Sequence, residues 1–268
     1  MATDVAETTP LPEAAPPPEP RGTLYFGRFY AVYVVLGIAL CAAIVGVVIA
    51  ARSTGGSGAG QGWSSWHPTG GGIGLAQQIA TRVGGEYRLG NGDQLAAVIA
   101  KPPIVSLNNH KIDVGYVAIR GGKSGSDVVA STSSSNTVMY SVCGLGTSCS
   151  IPFGTPSPAR GRLVRREIVE LALYTFHYDG AVQNIIAFMP PTGAGKQPVM
   201  IFLQRSDLGS SLSQPLDRTL NAHTPTASTM TRADASKVDE LTNGHSYNWT
   251  FQQAQDGNAI FVLTRLRA

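Results

Sequence analysis

Few residues of this chain have the types and spacing that chemistry needs. Cys143 and Cys149 flank a short Gly-containing stretch, Cys-Gly-Leu-Gly-Thr-Ser-Cys. Five intervening residues close a disulfide ring without strain, and such a bond persists in an oxidising compartment. The competing reading is two free thiols on a loop. A metal site is disfavoured, because no second Cys or His pair lies near in sequence. The histidines His67, His110, His177, His223 and His245 form neither H-E-x-x-H nor another ligand spacing. His177, close to Asp179, is the best acid–base candidate; the alternative is a cation at the negative end of a helix. Gly122-Lys-Ser124-Gly-Ser126 misses the G-x-S-x-G nucleophile turn by one residue. Thr192-Gly193-Ala194-Gly195-Lys196-Gln197 resembles the end of a phosphate-binding loop. Pro190 stands where that loop needs Gly, however, and Gln197 where Ser or Thr would hold Mg²⁺. A turn between strands is the better reading. These residues imply no catalytic group, no metal and no cofactor.

The densest run of charge is Arg160, Arg162, Arg165 and Arg166, expected over the first turns of a long helix. Cations there oppose the helix dipole, and Glu167 and Glu170 offset them, with Arg166 and Glu170 at the favourable i, i+4 spacing. The functional reading is a patch for an envelope protein or an anionic surface ligand. The plainer reading is a solvated face with ordinary ion pairs. Nucleic acid is not an expected partner, since the net charge is only +3.

The elements that would position these residues begin with a short amphipathic helix, Leu75–Val83. Strands follow at Gln94–Ala100, Ile112–Arg120 and Thr137–Cys143, separated by Pro102-Pro103 and Asn108-Asn109 turn chemistry. Ser157 and Pro158 open the longest helix as N-cap and first residue, and it runs to about Tyr178 before Asp179-Gly180. Leu163, Val164, Ile168, Leu171, Ala172 and Thr175 recur at helical spacing, so one face packs on a sheet. Val182–Met189 and Val199–Leu203 read as buried strands, Arg232–Thr242 as a short helix capped by Gly244. Tyr247–Gln253 and Ala259–Leu266 form a hairpin about Asp256-Gly257, a type I′ turn signal. The fold class is α+β: one mixed, mainly antiparallel sheet with packed helices.

The segment before this domain is the most informative part of the sequence. Ala31 to Ala51 gives 21 consecutive positions without a charge, a helix of roughly 30 Å, enough to cross a bilayer once. Tyr25, Phe26, Phe29, Tyr30 and Tyr33 crowd its N-terminal end as half an aromatic belt. Trp63 and Trp66 beyond it either touch the membrane surface or lie in a linker. Arg21 and Arg28 before the run against Arg52 after it place the N-terminus inside, and the cysteine loop agrees. Ala42, Gly46 and Ala50 make a small-residue stripe that permits self-association of the span. Residues 1–22 are a Pro-rich disordered cytoplasmic tail, 23–52 the transmembrane anchor, 53–74 a Gly/Ser-rich tether, and 75–268 the extracytoplasmic domain. The lipid bilayer is therefore the first expected partner. Asn248-Trp249-Thr250 is a glycosylation sequon, but fifteen Arg against five Lys, with heavy Ala and Gly use, points to a GC-rich bacterial genome.

Cys143–Cys149, the run from Arg165 to Phe176 (RREIVELALYTF) and Gln214–Leu220 (QPLDRTL) together resemble uncharacterised single-pass membrane proteins of actinobacteria. The resemblance covers most of the outer domain. It implies a bacterial, extracytoplasmic location and carries over no activity. The expected role is a tethered interaction or binding module in the cell envelope, at the plasma membrane with the C-terminal domain outside. The alternative is an envelope hydrolase in which His177 or His223 meets a serine or carboxylate.

Overall fold

A computed structural model describes residues 62–107, 109–121, 127–191 and 198–266. They fall within one unit, Gly60–Ala268. The expected tail, the apolar run 31–51 with its Ala42, Gly46 and Ala50 stripe, the start of the tether, residues 122–126 and the 192–197 turn lie outside the described residues. No described helix is long and apolar enough to cross a membrane.

Among the described residues nine strands form one mixed sheet: β1 (Ala97–Lys101), β2 (Ile104–Leu107), β3 (His110–Arg120), β4 (Val128–Ser131), β5 (Thr137–Cys143), β6 (Asn184–Phe188), β7 (Met200–Gln204), β8 (Ser246–Gln253) and β9 (Ala259–Arg265). Their spatial order is β1-β5-β6-β7-β8-β9-β3-β2, with β4 beside β3. Only β3–β9 and β5–β6 pair in parallel. The fold is α+β, with antiparallel pairing dominant. β2 and β4 are additions to the sequence reading. Each is four residues long, too short to show a period, and each is recruited by β3.

The sheet nearly closes on itself, for covalent and local reasons. β1 and β2 stand at opposite ends of the strand order yet are joined by Pro102-Pro103 alone. Neither proline has an N–H to continue a ladder, so the chain leaves one sheet edge there and crosses to the other. Pro103 C=O then accepts from Val114 N–H at 2.7 Å, which ties the crossing to β3. A register shift between Val114 and Tyr116 bends β3. Its first half pairs with β2 and its second half with β4.

Three helices cover one face: α1 (Gly72–Glu86), α2 (Pro158–Tyr178) and α3 (Arg232–Thr242). α2 begins as its sequence dictates, with Ser157 Oγ accepting from Arg160 N–H at 3.2 Å and Pro158 in the first turn. Its Leu163, Ile168, Leu171 and Ala172 are buried against Tyr140, Ile185 and Leu203 of the sheet. α1 comes close because residue 84 is Gly. A Cβ there would stand 2.9 Å from Val98 Cγ2.

Two boundaries differ from the sequence reading. The Gly/Ser-rich segment expected as a tether through residue 74 is structured from Gly62, and α1 starts at Gly72. Trp63 stacks on His177 with centroids 4.1 Å apart, and Trp66 meets Tyr174 edge-on at 5.4 Å. Both indoles therefore pack on the end of α2. The second difference is the β8–β9 turn. Ala254 N–H reaches Asn258 C=O, Gly257 N–H reaches Ala254 C=O, and Gly257 alone has positive φ, at 86°. A type I′ turn needs two such residues, so this is instead a type I turn closed by a glycine bulge.

Candidate functional site

Strand alternation decides which side chains meet on the face the helices leave bare. β5 turns Val138, Tyr140 and Val142 toward the helices and Met139 the other way. β6 contributes Ile186 and Phe188 to that second face, β8 Trp249 and Phe251, and β9 Phe261 and Leu263. The aromatic rings pack edge-to-face. Trp249–Phe261 and Phe188–Trp249 centroids are both 5.3 Å apart, and Phe188–Phe261 are 5.8 Å apart. Such geometry is worth about 0.5–1.5 kcal/mol per pair beyond area burial. The Trp249 indole N–H donates to Pro198 C=O at 2.9 Å, which fixes the ring.

This cluster floors a cavity of about 650 Å³, with Pro102, Val105 and Leu107 supplying the β1–β2 rim. Small-molecule sites run about 300–1,000 Å³, so the volume suits one ligand. Its charged lining residues are Lys101 and Lys111, both exposed; no carboxylate and no histidine lines it among the described residues. Lys101 pairs across the ladder with Met139, so it shares the face that carries the cavity. Ile99, on the same face of β1, is left 57% exposed.

A second cavity, about 450 Å³ and polar, lies on the helical side among Trp63, Arg82, Glu86, Glu170, Tyr174 and Arg218. Behind it sits a buried charge cluster. Arg166 is 1% exposed and donates from Nε to Asp234 at 2.8 Å, from Nη1 to Tyr87 at 2.6 Å and from Nη2 to Asn221 C=O at 2.7 Å. Tyr87 O–H donates to Glu170 Oε2 at 2.6 Å. Burial raises the Glu170 carboxyl above its ordinary range, against the pull of Tyr87 and Arg166. Glu167 beside it is fully buried, and neither carboxyl oxygen has a hydrogen-bond partner. Burial, reinforced by the Glu170 charge, pushes the Glu167 pKa well above the ordinary carboxyl value. Its contacts to Tyr87, Asn221 and Asp234 tie α2 to segments distant in sequence, while that of Arg166 to Glu170 lies within α2, so the cluster reads as a brace joining α2 to α3 and to the end of α1.

The chain matches no family model, no curated protein and no solved structure.

The sequence-predicted candidates separate in space. Arg160, Arg162, Arg165 and Arg166 do not share an exposed face. Arg166 is the buried brace, a correction to its reading as a patch residue. Arg162 and Arg165 both grip Asp239 of α3, at 3.0 and 2.6 Å. Against the opposing effect of burial, those two guanidiniums hold the Asp239 carboxyl below its usual range. Arg160 is turned back to Phe153 C=O. His177 lies under Trp63, and burial lowers its pKa. Among the described residues no hydrogen bond or ion pair joins His177 or His223 to a serine or carboxylate, and none groups three potential metal ligands. Cys143 and Cys149 are disulfide-bonded, with Cα atoms 4.5 Å apart. Gly144 permits the tight ring, since a Cβ there would fall 2.2 Å from Ser150 C=O.

The cavity residues were missed by motif reasoning, because no motif unites them. The signal available was the alternation in Tyr247–Gln253, where Tyr247, Trp249 and Phe251 stand at every second position. Lys101, the last residue of a strand otherwise made of Ala, Val and Ile, was a second signal.

Proposed function

We propose that the folded domain is a non-enzymatic ligand-binding module, carried outside the cytoplasm on a chain anchored in the plasma membrane by residues 31–51. The observation that supports it is the aromatic-floored cavity on the face of the sheet away from the helices, which has volume for a ligand and, among the described residues, no carboxylate or histidine in its lining. The apolar run Ala31–Ala51 supports the anchor. The Cys143–Cys149 bond supports an oxidising compartment, as in a bacterial envelope. Anchoring would keep the module at high local concentration near membrane-associated partners. A hydrolase reading has less behind it, since among the described residues no hydrogen bond or ion pair joins His177 or His223 to a serine or carboxylate.

The test is native mass spectrometry of the full chain released from detergent, alongside the cavity-filling variant Val105→Trp. The expected result is a retained small-molecule adduct on the parent chain that the variant loses. An adduct unaffected by Val105→Trp, or none on either chain, contradicts the reading.

A further inference from the structure

The cavity on the bare sheet face has a polarity of its own, and this carries the argument from a ligand site to a class of ligand. Its floor is aromatic and aliphatic: Met139, Phe188, Trp249 and Phe261. Its ionisable lining groups are two lysines and nothing acidic. Lys101 ends β1 directly before the Pro102-Pro103 crossing, so it stands at the mouth and not at the floor. A neutral apolar occupant would leave both ammonium groups without a counter-charge. A small inorganic anion would leave the apolar floor unused. An occupant with a hydrocarbon chain and one anionic head satisfies both ends. The bilayer in which the chain's own apolar run would lie is a source of such molecules.

We propose that the cavity binds a single-chain lipid anion, with the acyl chain on the Phe188–Trp249–Phe261 floor and the head group at Lys101 and Lys111. This rests on the binding-module reading above and names its ligand. Affinity then rises with chain length, roughly three- to fourfold per added methylene until the floor is covered. It falls with salt, because the two ammonium groups are exposed and screened.

The probe is a fatty acid brominated on its chain, added to the full chain in zwitterionic nanodiscs, with the matching brominated alcohol as comparison. Bromine quenches tryptophan at contact. Trp249 lines the cavity, whereas Trp63 and Trp66 pack on the helical side. The Trp249→Phe variant therefore isolates the cavity signal. The expected result is quenching by the acid at about tenfold lower concentration than by the alcohol. That gap should close in Lys101→Gln/Lys111→Gln, which alters only exposed side chains. Equal quenching by acid and alcohol in the parent chain overturns the anionic ligand and leaves the cavity as a neutral apolar site. Absence of any Trp249-dependent quenching by either overturns the ligand and the binding-module reading together.

Discussion

At the scale of single residues, the molecule spends charge on structure. Glu167 is the sharpest case, a buried carboxyl with no hydrogen-bond partner among the described residues, near Gly84 of α1, which itself faces Val98 of β1. Its pKa is raised in the folded state and ordinary, about 4.3, when unfolded. Its stabilising contribution is thus complete below that ordinary value and is lost as pH rises toward the folded pKa. Glu170, also raised, adds to the same slope. Denaturant melts of Glu167→Gln should show higher stability than the parent at neutral pH, with the gap shrinking toward pH 4; a gap constant with pH would contradict the assignment. Arg166 makes the opposite case. Replacing it with Met leaves Asp234 and Glu170 buried without a cation, at a cost of about 3–5 kcal/mol. Arg162→Met, at a partly exposed pair that Arg165 still serves, should cost under about 1 kcal/mol. Equal losses in urea titrations of the two would refute the distinction. The Glu170 spacing is legible near Arg166 but its burial is not, because its other side-chain partners Asp234 and Tyr87 are 68 and 79 residues away.

At the scale of elements, what was legible is what is local. α2 follows from Ser157, Pro158 and a 3.6-residue apolar period, all readable within one segment. β5, β7 and the β8–β9 hairpin likewise declare themselves by composition and turn residues. β2 and β4 do not, since each becomes a strand only because β3 offers it an edge. Near-closure of the sheet was equally hidden: Pro102-Pro103 reads as a turn, and only the strand order turns it into a bridge between the two sheet ends. The Cys143–Cys149 ring is local, and its energetics can be predicted. Cys143→Ser/Cys149→Ser should lower stability by about 2 kcal/mol through the freed chain entropy. Reductant should reproduce that loss in the parent and leave the variant unchanged, as read by thermal melts. A variant as stable as the parent would show that Gly144 and the Ser150 contacts hold the loop unaided.

At the scale of the whole molecule, the fold divides labour between its two faces. The helical face holds the buried brace and the larger core cluster, which fixes the curvature of the sheet. The opposite face presents the aromatic-floored cavity, the site proposed to bind a ligand. The arginine run that looked like a site in the sequence belongs to the first face. The cavity belongs to the second and emerges only when seven strands, β1, β2, β3, β5, β6, β8 and β9, bring its lining together. The proposed location has its own test. Membrane-impermeant maleimide on intact cells should label Cys143 and Cys149 only after reduction. Labelling that instead requires permeabilised cells would put the domain in the cytoplasm.

The central claim is that ligand enters the cavity floored by Phe188, Trp249 and Phe261 and nowhere else, and the methionines report on it directly. Met139 lines the cavity, whereas Met189 and Met230 pack on the helical side. With ¹³C-methyl methionine in the full chain in nanodiscs, titration with a fatty acid should shift the Met139 methyl resonance and leave Met189 and Met230 in place. An unmoved Met139, or shifts confined to Met189 and Met230, would contradict the account.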